Sequence, residues 1–190
     1  MKKKSKFNLA GYSEKRVRND YYVMPPFAVH RLLSYEKFTG NVWECACGNG
    51  AISKILEEYN IKVFSSDKYK RGYGTSGIDF LTCHKPPLSP VNNIITNPPY
   101  RDAEAFVKKA LKVADHKVAM LLKLNFMAGQ QRYKDIFCLH APARIYVFAK
   151  RLSFQAGKGR EQDKNAGILE YAWYVWDRPY NTVTKLVWLI

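Results

Sequence analysis

Polar and apolar positions along the chain follow two rhythms, and each predicts a different element. Residues 41–45 and 61–66 are short runs carrying Val42, Trp43, Ile61, Val63 and Phe64, while residues 91–96 and 117–124 are apolar enough to be strands buried on both faces. Between them, Ile52, Ile55, Leu56 and Tyr59 recur at helical spacing, and Ala103, Phe106, Val107, Ala110, Leu111 and Ala114 hold that period over three turns behind Asp102, the expected N-cap. Pro25 and Pro26 open an earlier helix whose apolar face is Phe27, Val29, Leu32 and Leu33. Strands alternating with helices in this way predict an α/β fold built on a mostly parallel, doubly wound sheet with helices on both faces. The last third differs: residues 144–149, 168–176 and 182–190 are all strand-like, and no long helical pattern separates the first two. They predict an antiparallel hairpin at the C-terminal end of the sheet, with Tyr171, Trp173, Tyr174 and Trp176 as core.

Composition narrows the class. The chain has 190 residues, 47% of them apolar and 14% aromatic, which excludes wholesale disorder and fits one domain. The longest apolar runs are far below the ~20 residues that cross a bilayer. No apolar block follows the basic start, so a cytoplasmic protein is expected. Residues 1–20 are rich in Lys and Arg and predict a flexible basic arm, leaving residues 21–190 as the folded domain. Four cysteines, Cys45, Cys47, Cys83 and Cys138, are too few and too irregular for a disulfide framework and read as reduced thiols. With His84 they lack the usual zinc-ligand spacing, so no metal is expected. His30, His84, His116 and His140 show no pairing with a nucleophile. Against 16 acidic residues stand 31 Lys and Arg, a formal charge of +15 that predicts salt-sensitive binding to a polyanion.

Two short segments carry chemistry. Gly48-Asn49-Gly50 follows the first central strand and precedes a helix, where an open α/β sheet receives a nucleotide-like ligand. The third glycine of a dinucleotide fingerprint is replaced by Ser53, which argues against a pyrophosphate. Asp67 ends the next strand, where a carboxylate can accept both hydroxyls of a ribose. Asn97-Pro98-Pro99-Tyr100 ends the strongly apolar strand beside it. Two prolines fix the backbone and remove two donors, which makes a rigid turn at the strand end.

In these motifs the sequence resembles the class I S-adenosylmethionine-dependent methyltransferases, and among them the enzymes that methylate the exocyclic amine of adenine. The resemblance spans roughly residues 20–176. It implies a Rossmann-like fold, S-adenosyl-L-methionine as cofactor, and a cofactor site made by Glu44, Ala46, Cys47, Gly48 and Gly50 of the glycine loop, by Asp67 with Lys68, and by Asp79 and Phe80 around the cofactor's adenine. Asn97 would serve both cofactor and catalysis, with Pro98, Pro99 and Tyr100 completing the catalytic tetrad. Tyr22 and Pro25 lie in a segment that resembles the one holding the methionine end. Cys45 and Cys47 depart from the family's usual Pro and small residue, and no sizeable target-recognition domain follows the tetrad, so loose sequence preference and a phage-like setting are expected.

The substrate expected from the tetrad and the charge is adenine in DNA. Two basic, aromatic loops are candidates for holding it: Lys70, Arg71 and Tyr73 in one, and Arg151, Lys158, Arg160 and Lys164 in the other. Phe154 and Gln155 are candidates for the target pocket. Adenine in RNA is the nearest alternative, followed by glutamine in a protein and by a non-catalytic nucleic-acid-binding module.

Overall fold

The computed structural model of the protein describes residues 22–152, 154–156, 170–180 and 183–190. The basic arm, Lys158, Arg160, Lys164 and the Tyr22 side chain lie outside what is described. An eight-stranded sheet runs in the order β10 (Lys185–Leu189), β7 (Arg144–Phe148), β9 (Tyr171–Asp177), β6 (Lys117–Lys123), β5 (Asn93–Thr96), β2 (Val42–Glu44), β3 (Val63–Asp67) and β4 (Thr75–Ser76). Every pairing is parallel except those of β9, which runs antiparallel between β6 and β7. The expected hairpin is therefore β7 and β9, while β10 adds a parallel strand outside it. A separate two-residue ladder joins β1 (Tyr22–Val23) to β8 (Gln155–Ala156).

Alternation along the central strands sends side chains to two cores. Ala119 and Leu121 of β6 face the same layer as Val42, Trp173 and Val175, against α1 (Phe27–Tyr35) and α2 (Ser53–Glu58). Val118, Met120 and Leu122 face the other layer with Trp43, Ile94, Tyr174 and Trp176, against α3 (Ala103–Val113). All six positions of the predicted α3 stripe are buried. Asp102 holds the N-cap position, but its side chain makes no capping hydrogen bond, which corrects the expectation for that residue. The Trp173 indole donates to the Ala28 carbonyl at 2.8 Å and fixes α1 on the sheet.

Residues 124–137 hold short helical turns that no sustained periodicity announces: a 3-10 turn (Leu124–Met127), α4 (Gln130–Arg132) and a π turn (Tyr133–Phe137). At the opposite rim, buried Glu36 accepts from Lys117 Nζ at 2.6 Å, from Tyr146 Oη at 2.7 Å and from the Arg144 guanidinium, which also reaches Asp177. This cluster pins the amino ends of β6 and β7 to the end of α1. Among the described residues no helix is long and apolar enough to cross a membrane.

Candidate active site

The chain runs outward from β2 to β3 and β4, then returns to place β5 on the other side of β2. That reversal opens a crevice between the carboxyl ends of β2 and β5, the position where open α/β sheets take ligands. Its cavity volume is about 230 Å³. Glu44, Ala46, Cys47 and Gly48 line it from the β2 loop, Asp67 and Lys68 from the end of β3, Asp79 and Phe80 from the next loop, and Asn97 and Pro99 from the end of β5. Ten of the proposed cofactor and catalytic positions thus meet in one place.

The β2 loop turns where Gly48 adopts φ +58°, and its N–H donates to Asp67 Oδ2 at 2.9 Å. Asp67 Oδ1 accepts from the Tyr69 N–H at 2.7 Å and faces Arg71 Nε at 3.4 Å. The carboxylate is thereby oriented from three sides. Glu44 is buried and accepts from the Ser53 N–H at 2.8 Å and from the Ser53 hydroxyl, which locks the loop to the start of α2. Burial pushes the Glu44 carboxyl up to about 8, against the lowering effect of both Ser53 hydrogen bonds. Burial likewise pushes the Cys47 thiol up to about 12 and the Cys45 thiol well above its ordinary value, so neither is a thiolate near neutral pH.

Across the crevice, Asp79 meets Lys68 Nζ at 2.9 Å and accepts from the Leu81 N–H at 3.0 Å; the Lys68 hydrogen bond holds its carboxyl below the usual range. Phe80 forms an apolar floor, packed on Trp43 and Phe106 with ring centroids 5.2 and 5.0 Å apart. Lys109 supports this loop by donating to the carbonyls of Leu81 (3.2 Å) and Cys83 (2.6 Å). Sequence reasoning missed Lys109, which lies in α3 26 residues from Cys83. At the other end, Asn97 Oδ1 is a buried acceptor with no hydrogen-bond partner. Such orphaned atoms are uncommon in a native interior.

Some predicted residues stand elsewhere. Gly50 is outside the lining: at φ +80°, its ideal Cβ would lie 2.5 Å from Tyr73 Cγ, so its lack of a side chain makes room for that ring. Tyr73, expected on a nucleic-acid surface, covers Gly50, donates to Glu57 at 2.7 Å and lies under Lys54 Nζ at 5.3 Å. Pro25 is also outside the lining, where Val23 and Met24 take its place. Pro98 is buried, and Tyr100 turns toward a second hollow, its ring 5.3 Å from that of Tyr171. Phe154 also packs on Tyr171, with ring centroids 4.6 Å apart. Lys70 is exposed, and Arg151 pairs with Glu170 at 3.2 Å on the surface.

The sequence matches no family model and no curated protein. Solved structures do resemble it. One from Pyrococcus horikoshii, described as an RNA methyltransferase, superposes with a TM-score of 0.58 at 18% identity, over 83% of this chain and 87% of that one. A modification subunit described as part of a type I restriction enzyme of Vibrio vulnificus gives 0.55 at 12% identity, over 87% of this chain and 45% of that one. A Listeria monocytogenes protein described as a class I S-adenosylmethionine-dependent methyltransferase gives 0.53 at 12% identity, over 86% and 62%. The present chain therefore spans less than two thirds of the last two. The central reversal at β2, the antiparallel β9 between β6 and β7 and these superpositions together give the chain the fold of the class I S-adenosylmethionine-dependent methyltransferases.

Proposed function

We propose that the protein transfers the methyl group of S-adenosyl-L-methionine to the N6 amine of adenine in DNA. The observation that carries this reading is the buried, unsatisfied Asn97 Oδ1 at the end of β5, beside a crevice suited to an adenosine. The crevice fits the cofactor chemically: Asp67 offers a carboxylate toward a ribose, Asp79 an acceptor for an adenine amine, Phe80 an apolar surface for the ring, and Gly48 a close backbone approach. When bound, the cofactor supplies an electrophilic methyl on a sulfonium.

Everything else falls to the chain's own groups. An adenine amine is a weak nucleophile because its lone pair is delocalised into the ring. Asn97 Oδ1 and the Pro98 carbonyl accept its two hydrogens, which localises that lone pair as the transition state forms. Buried Pro98 cannot donate and keeps its carbonyl fixed. Tyr100 supplies an aromatic face for the base, worth ~1–3 kcal/mol when stacked. In a duplex the adenine is first extruded. Support for a nucleic-acid substrate comes from the +15 charge and from the restriction-enzyme modification subunit among the structural neighbours.

Incubation with methyl-labelled cofactor and DNA, followed by digestion to nucleosides, tests the proposal. Label in N6-methyl-2′-deoxyadenosine is expected; label only in deoxycytidine derivatives, or none, overturns it. RNA is the second reading, favoured by the superposition on the Pyrococcus protein over most of both chains. Duplex DNA, single-stranded DNA and structured RNA compared at one salt concentration separate the two.

A further inference from the structure

The Asp79–Phe80 segment belongs to a long connection, residues 77–92, that runs from β4 to β5 without forming a helix or a strand. No ladder fixes such a stretch, so the side chains it offers to the crevice depend on local ties. Residues 79–83 make a single tight turn. The N–H groups of Thr82 and Cys83 donate to the Asp79 carbonyl at 3.2 and 2.8 Å, and the Leu81 N–H donates to Asp79 Oδ1 at 3.0 Å. At the far end of the turn, the carbonyls of Leu81 and Cys83 both accept from Lys109 Nζ, at 3.2 and 2.6 Å.

Lys109 belongs to the face of α3 that already serves the crevice. Phe106, three residues earlier and so about one turn away, lines the crevice and packs on Phe80 with ring centroids 5.0 Å apart. Lys109 Nζ itself lies 5.5 Å from the centre of the Phe80 ring. Its neighbour Lys108 shows the ordinary alternative, bridging Glu104 at 2.8 Å and Asp135 at 2.6 Å. A hydrogen bond from a cation is about twice as strong as a neutral one, and two of them on one loop oppose its opening. The other restraint on Asp79 is the bridge to Lys68, whose side chains are 55% and 26% exposed for Lys68 and Asp79, so salt screens it. We infer that Lys109 is a positioning residue for the adenine pocket. By holding the Leu81 and Cys83 carbonyls it sets the Asp79 carboxylate and the Phe80 ring, and so gives the crevice its preference for a purine bearing an exocyclic amine. This rests on the reading of Asp79 and Phe80 as the residues around the cofactor's adenine.

Calorimetry on the full chain tests this with two ligands, S-adenosylhomocysteine and S-inosylhomocysteine, the second carrying a carbonyl where adenine has its amine. Lys109→Met keeps the length of the side chain and removes the donor. It should weaken S-adenosylhomocysteine about tenfold, as for the loss of one charge-assisted hydrogen bond, and S-inosylhomocysteine by less. Lys109→Arg supplies donors again and should recover part of the affinity. With Asp79→Ala already in place, Lys109→Met should cost less than it does alone, because the acceptor it positions is gone. Should the Lys109→Met chain fail to fold, as its urea midpoint reports, Lys109→Gln carries the same comparison. An unchanged affinity, an equal loss for both ligands, or full additivity with Asp79→Ala overturns the inference. Failure of the unaltered chain to bind S-adenosylhomocysteine overturns the reading of the crevice itself, and equal binding of both ligands by the unaltered chain overturns the role given to Asp79.

Discussion

Asn97 and Glu44 show how single side chains at the strand ends are held out of balance with their surroundings. Leaving the Asn97 oxygen buried without a donor costs the fold stability, and on the proposed reading the target amine satisfies it. Asn97→Ala is expected to lower the methylation rate on the order of 10²–10³-fold. Its urea midpoint should be no lower than that of the unaltered chain, because the substitution removes an orphaned acceptor; a marked loss of stability would contradict this account. Glu44 makes the complementary case. Its proton is retained in the fold up to about pH 8, whereas an unfolded glutamate releases it near 4.5. This contribution to stability is fully present below pH 4.5 and is lost as pH rises toward 8. Glu44→Gln should remove that decline, so midpoints measured from pH 5 to 8 should fall less in the variant than in the unaltered chain.

Elements owe their placement partly to local rhythm and partly to partners far along the chain. The stripe of α3, the buried runs of β5 and β6 and the Asn97 tetrad at a strand end were legible because each depends on neighbours within a few residues. Gly50 was not legible in the same way. Its glycine character suggested a ligand, yet the group that needs the space is the ring of Tyr73, brought back by the loop between β3 and β4. Gly50→Ala should cost about 1–3 kcal/mol, since it combines a positive φ with a collision. Combined with Tyr73→Ala, the cost should be less than additive, and a denaturation double-mutant cycle measures the difference. The turns of residues 124–137 escaped notice because no single one lasts long enough to show a period. What positions them is the Arg132 guanidinium and the Phe126 ring, which packs on Phe137 and Tyr174.

Across the whole molecule the two rims of the sheet carry different burdens. One rim holds the crevice and the hollow; the other holds Glu36 with Lys117, Arg144, Tyr146 and Asp177, residues up to 110 positions from Glu36 among its direct contacts. Such a cluster could not be read from sequence, where its members look like ordinary surface charges. Removing Glu36 leaves Lys117 and Arg144 with Asp177 as their remaining carboxylate and takes the acceptor from the Tyr146 hydroxyl, so Glu36→Ala should destabilise the fold by about 1–3 kcal/mol. Cofactor affinity below the transition should stay unchanged, which calorimetry checks.

The reversal of β9 also has an outcome for how such a molecule can acquire an address. Because β7 and β9 run antiparallel, the end of β7 and the start of β9 lie at the same rim of the sheet, where Tyr171 stands 5.3 Å from the Tyr100 ring. Residues inserted between those two strand ends leave every rung of the eight-stranded sheet untouched, so on the proposed reading this one connection is where selectivity for a target is lengthened or exchanged.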